Sequence, residues 1–293
     1  MLYAKCFFRS CCTFSLVWIW VLTQTGFGIL SQEPVSRINS GVAYPIAVAI
    51  DKEKIYVVDL ELPGVWEVSG SARDIRDIYA LGSRQLRAPL NRPRCICVHP
   101  AGGVLVGDSA TREVYHVVEK GALPTPLTGG QVGIPMALVV SPDLQKLYIG
   151  DAESRSVVEV SIGGGSPVSV IDVNARALAF DGEGGLWAVT PDEGAVHLID
   201  VKNHSSRVVV QGRPYQYPNG LAWVGDYGLV TDGYGKAIWR FDRDGRTELW
   251  LQGRPLLGPV GVSAHEGSVW VADPKAKQVF RLNQVDKSVQ SVF

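Results

Sequence analysis

Large and small residues alternate along six short stretches of the chain. They open at Pro45 (PIAVAI), Pro93 (PRCICV), Pro135 (PMALVV), Ala175 (ARALAF), Pro218 (PNGLAW) and Pro259 (PVGVSA). Each stretch crosses a polar turn and resumes as a β-rich run, ending at Asp59, Asp108, Asp151, Thr190, Asp232 and Asp273 in turn. A third run, rich in aromatic and branched residues, follows from Val65, Val114, Val157, Val196, Ile238 and Val279. A period of two assigns all of these runs to strands. In the first run of each set, large residues such as Val48/Ile50 and Leu221/Trp223 share one face, and small ones such as Ala47/Ala49 and Gly220/Ala222 share the other. A strand patterned in this way is buried on both faces but has unequal room on them, as happens where sheets converge on an axis.

The openings recur every 40 to 48 residues, and the segment before each next opening can supply a fourth strand. Residues 217–241 are the clearest copy. Four short strands per repeat of about 40 residues describe a propeller blade. The expected fold is therefore all-β, a six-bladed β-propeller of four-stranded antiparallel blades. Tyr56, Trp66, Tyr148, Trp187, Trp239 and Trp270 fall on second and third strands and are expected to pack blades together. Residues 288–293 are the expected last strand. The ring then closes by packing the last blade on the first, unless residues 34–40 add a strand.

Composition fits one domain: 46% of the 293 residues are hydrophobic and 19% charged, and no Ser/Gly-rich or charged linker interrupts the repeat. The expected propeller spans residues 43–293, after a lead-in at 29–42. A net charge of −1 gives no overall attraction to nucleic acid or an anionic membrane, while leaving room for local patches. Lys5 and Arg9 precede an apolar run at 14–22, followed by small residues up to Gly28. Residues 1–28 are thus an expected signal peptide or, if uncleaved, an anchor, so export is expected as a secreted or periplasmic protein. Cleavage leaves only Cys95 and Cys97, which alternate on one strand and are expected to pack rather than pair.

Chemistry is sought at the residue one step past each opening, which the repeat aims at the channel mouth: Ile46, Arg94, Met136, Arg176, Asn219 and Val260. These differ from blade to blade. Loops expected on the same face add Arg84, Arg87, Arg92, Arg213, Arg254, Tyr215 and Tyr217. Gathered guanidinium groups with aromatic neighbours suit carboxylate, phosphate or sulfate. The expected ligand set is Arg94, Arg176, Asn219, Arg92, Arg213, Arg254 and Tyr217, and the expected partner is an anionic small molecule, glycan or protein. The recurring Asp residues are expected to cap the N–H groups of their own turns. None of the five His residues sits at an opening.

Pro-x-(Gly/Ala)-(Leu/Val)-Ala followed by a strand ending in Asp resembles the NHL-repeat propellers. PNGLAW with VTD in the fifth repeat is similar to the SMP-30/gluconolactonase group. That resemblance implies the propeller fold and, in its lactonase members, a channel metal held by a Glu, an Asn and an Asp. Only Asn219 matches that set; Val260 stands at the Asp position and residues 42–45 supply no carboxylate. The expectation is an exported, non-catalytic binding propeller with no cofactor. The alternatives are a diverged hydrolase using calcium or zinc, with Asn219 as a ligand, and a lyase acting on an anionic substrate.

Overall fold

The computed structural model describes residues 41–69 and 75–293. The expected signal segment and nearly all of the lead-in lie outside them. Blade 1 comprises β1 (Pro45–Asp51), β2 (Lys54–Asp59), β3 (Gly64–Ser69) and β4 (Ile75–Leu81), and blade 2 comprises β5 (Pro93–Val98), β6 (Val104–Asp108), β7 (Glu113–Val117) and β8 (Thr125–Pro126). Blade 3 follows as β9 (Pro135–Val140), β10 (Lys146–Asp151), β11 (Ser156–Ser161) and β12 (Val168–Ile171), and blade 4 as β13 (Ala177–Phe180), β14 (Leu186–Val189), β15 (Gly194–Asp200) and β16 (Ser205–Gln211). Blade 5 runs through β17 (Pro218–Val224), β18 (Tyr227–Asp232), β19 (Ala237–Asp242) and β20 (Thr247–Gln252), and blade 6 through β21 (Gly261–His265), β22 (Ser268–Asp273), β23 (Gln278–Asn283) and β24 (Val289–Ser291).

Every blade is an antiparallel meander whose strands hydrogen-bond in chain order. This is the six-bladed propeller that the repeat predicts. The innermost strands touch in the cyclic order β1, β5, β9, β13, β17, β21 and back to β1. Small residues make that convergence possible. A Cβ on Gly107 would stand 2.6 Å from Cys95 Sγ and 2.9 Å from Pro135 Cβ, and one on Gly261 would stand 2.6 Å from the Ile46 carbonyl oxygen. The second contact lies at the seam between blades 6 and 1.

At that seam Arg76 donates from Nε and Nη2 to the Val292 carbonyl at 3.1 and 2.8 Å, and the Phe293 ring meets Trp66 edge-on at 6.1 Å. Among the described residues, closure is by packing, with no strand exchanged between the first and last blades. Tyr56, Trp66, Tyr148, Trp187 and Trp270 are buried, and Trp239 packs against the core shared by blades 4 and 5. Cys95 and Cys97 are free thiols. Burial raises the pKa of both, to about 12 for Cys97, which suits packing and not reactivity.

Candidate ligand-binding cavity

The recurring Asp residues do more than the sequence predicts. Asp59 accepts the N–H of Glu61 in its own turn at 2.9 Å, and also those of Ala43 and Tyr44, in the segment leading into β1, at 2.7 and 3.0 Å. The pattern repeats at Asp108 with Asn91, Arg92 and Ala110, and at Asp232 with Gln216, Tyr217 and Gly235. Asp151 and Asp273 act likewise. Each carboxylate therefore ties the entry loop of its blade to the turn between the second and third strands, and so fixes the channel rim. Burial alone would raise the pKa of Asp151, but the N–H groups of Ile134, Gly133 and Glu153 outweigh it and hold the carboxyl below its ordinary value.

Blade 4 lacks this clasp. Thr190 donates its hydroxyl to the Gly194 carbonyl at 2.7 Å and accepts the Asp192 N–H at 3.1 Å, so it serves only its own turn. The entry loop bonds within itself, with the Ala175 N–H on the Val173 carbonyl at 2.8 Å, and reaches the turn through Asn174 Nδ2, which donates to Asp192 Oδ2 at 3.5 Å.

Bulges explain why the residue past each opening reaches the channel. The β1–β2 register passes from Pro45 directly to Ala47, the β5–β6 register from Pro93 to Cys95, the β9–β10 register from Pro135 to Ala137, and the β17–β18 register from Pro218 to Gly220. The skipped residues are Ile46, Arg94, Met136 and Asn219. An unpaired residue in a ladder is re-aimed by the local kink. In blades 4 and 6, Arg176 and Val260 sit just before the inner strand, their N–H groups bonded to Val189 and Ala272.

All six line a central cavity of about 260 Å³. Its wall divides into two arcs. Blades 2, 3 and 4 contribute Arg94, Met136 and Arg176. Arg94 is oriented by a bond from Nε to Ser109 Oγ at 3.1 Å, and that hydroxyl in turn donates to the Arg92 carbonyl at 3.2 Å. The terminal nitrogens of Arg94, and the whole Arg176 guanidinium, have no hydrogen-bond or ion-pair partner among the described residues. Among the described residues, no Asp, Glu or His lines the cavity.

Blades 5, 6 and 1 form the facing arc, with Tyr217 and Asn219, Val260 and Pro274, and Ile46, Leu60 and Tyr44. Tyr217 is 43% exposed and stacks on Tyr234 at 4.6 Å between ring centroids and 20° between planes. The Lys275 ammonium lies 5.4 Å from the Tyr234 ring centroid. Asn219 Nδ2 donates to the Tyr217 carbonyl at 3.2 Å, leaving Oδ1 without a donor among the described residues.

Of the expected ligand set, Arg94, Arg176, Asn219 and Tyr217 meet in this cavity. Arg92, Arg213 and Arg254 are exposed and stand outside its lining. Arg84 pairs with Glu61 at 3.0 Å on the surface. Tyr215 requires correction: it is buried in the core of blades 4 and 5, because its ring packs toward Trp239 at 6.0 Å instead of facing the mouth. Tyr44 was missed, although a Tyr-Pro pair at 44–45 repeats the one at 217–218. The donors implied for a lactonase metal do not fit. The described lining offers one neutral side-chain amide, two phenols, the Met136 thioether and a Cys95 thiol that burial keeps protonated, beside two guanidinium groups, and a hard divalent cation needs several oxygen ligands, usually with carboxylates among them.

No protein-family model and no curated protein matches the chain. Solved structures do. A chain in a nidogen/laminin complex superposes with a TM-score of 0.65 at 14% identity, covering 84% of this chain and 90% of that one. A putative gluconolactonase gives a TM-score of 0.65 at 14% identity over 86% and 91% of the two chains. Virginiamycin B lyase from Staphylococcus aureus gives 0.63 at 12% identity over 85% and 84%. At these identities the likeness is one of fold. The three names span a protein complex, a putative gluconolactonase and a lyase, and a shared fold does not carry a shared chemistry.

Proposed function

We propose that this propeller is an exported binding module that holds an anionic ligand in its central cavity, with Arg94 and Arg176 engaging the negative group. The observation that carries the reading is the presence of two guanidinium groups in one small cavity whose lining, among the described residues, contains no carboxylate. Six arginines outside the cavity have a different fate: Arg84, Arg112, Arg155, Arg240, Arg243 and Arg246 each pair with an acid. An unpaired guanidinium in a recessed site presents forked donors to carboxylate or phosphate, and partial desolvation strengthens that bond. Export is supported by the basic residues before the apolar run at 14–22.

The test is an equilibrium titration of the whole chain with small organic acids, repeated on Arg94→Met and Arg176→Met. Each variant should weaken binding by about tenfold, the scale of one charge-assisted hydrogen bond. Affinity should also fall as salt is added. Binding that ignores both substitutions, or no binding of any small anion, would overturn the proposal.

A further inference from the structure

From the division of the cavity wall, and resting on the anion-binding reading above, we infer that the ligand is an amphiphilic organic anion. Its charged group lies on the Arg94–Arg176 arc, and an apolar or aromatic ring lies against the Tyr217 arc. The two sides are unlike in kind. Opposite the arginines, Ile46, Leu60, Val260 and Pro274 offer only hydrocarbon from their side chains, and the polar side-chain atoms on that arc are the Asn219 amide and the phenols of Tyr44 and Tyr217.

A polyhydroxylated acid would find only that amide and those phenols among the arc's side chains, and each hydroxyl laid against Ile46, Leu60, Val260 or Pro274 would lose its partner, which is costly. A bare inorganic anion would leave the arc unused. A flat ring avoids both problems. Tyr217 is ready to receive one, because stacking on Tyr234 and the bond from its N–H to Asp232 hold it in place before any ligand arrives. Preorganised aromatic surface binds without the cost of ordering it. Its partner Tyr234, 61% exposed, is backed by Lys275, so the platform extends out of the cavity along blades 5 and 6. A volume of about 260 Å³ limits the enclosed part to something smaller than a drug-sized molecule.

The experiment titrates acetate, benzoate, glucuronate and inorganic phosphate into the wild-type chain, Tyr217→Ala, Tyr44→Ala and the double variant Arg94→Met/Arg176→Met. Benzoate should bind about tenfold or more above the other three. Tyr217→Ala should weaken benzoate by about three- to tenfold, the range that ring stacking supplies, and leave acetate and phosphate unchanged. Tyr44→Ala, at the other edge of the arc, checks the same loss should Tyr217→Ala fail to fold. The inference is overturned if glucuronate or phosphate binds as well as benzoate, or if neither tyrosine affects benzoate. Equal, arginine-dependent binding of all four would sink this inference alone. Absence of binding, or binding indifferent to the arginines, would sink the anion reading with it.

Discussion

At the scale of single residues, two positions apart on one segment decide what an arginine does. Arg92 precedes Pro93 and is exposed, whereas Arg94 follows it, is skipped by the ladder, and lines the cavity. Alignment of the repeats found Arg94, Arg176 and Asn219 because each stands at the same distance from its opening. It could not separate them from Arg213 and Arg254, because those lie in loops with no period to fix their direction. Tyr215 and Tyr217 have opposite fates for the same reason, one in the core and one on the rim. The clasp residues also act at this scale. Asp151 has a depressed pKa, so its stabilisation is present above the unfolded carboxylate value of about 4 and is lost as pH falls through the lower folded value. Asp151→Asn should lower stability by about 2 kcal/mol near neutral pH and flatten the acid limb of the stability profile, as read from urea midpoints across pH 2 to about 6. An unaltered midpoint at neutral pH would mean that the three N–H bonds contribute nothing net.

At the scale of elements, the blade pattern was almost fully legible, because the inner strands alternate large and small residues on their two faces and five of the six second strands end in the Asp that their turns require, with Thr190 just past the end of the sixth. What stayed hidden was the bulge. It lies between the opening Pro and the next paired residue, at the very start of the inner strand, so no alternation precedes it against which a change of phase would show. The distinction between roomy and cramped faces, by contrast, was visible as Gly and Ala opposite Val, Leu and Trp. That distinction is testable where the ring closes. A Cβ at position 261 would meet the Ile46 carbonyl at 2.6 Å and Ala47 Cα at 2.7 Å, both of them backbone atoms that cannot swing aside. Gly261→Ala should cost about 1–3 kcal/mol through overpacking at the seam, and Gly267→Ala, with nothing within 4 Å, should act only through its φ of +74°. Equal unfolding midpoints for Gly261→Ala and wild type would show that the seam is looser than this contact implies.

At the scale of the whole molecule, the described residues close the ring without exchanging a strand, which places weight on side-chain ties across the seam. Arg76 is the clearest of these, with two bonds to the Val292 carbonyl and its guanidinium 5.7 Å from the Phe293 ring centroid. Arg76→Ala should reduce stability by about 1–2 kcal/mol and raise hydrogen exchange selectively in blades 1 and 6, with blades 3 and 4 little changed. Uniform exchange throughout the ring would contradict a local tie. The same cyclic arrangement creates the cavity on which the proposed function rests, since only a closed ring brings the arginines of blades 2 and 4 to face the tyrosines of blades 1 and 5. Sequence reasoning reached the arginines but not this opposition, which depends on where successive repeats stand around an axis. The most direct test is a crystal structure of the protein with 4-bromobenzoate, located by the anomalous signal of bromine. The account predicts the carboxylate within hydrogen-bond distance of Arg94 or Arg176 and the bromine on the Tyr217 side of the cavity. A probe ordered only elsewhere, or bound with its carboxylate against Val260 and Pro274, would contradict it.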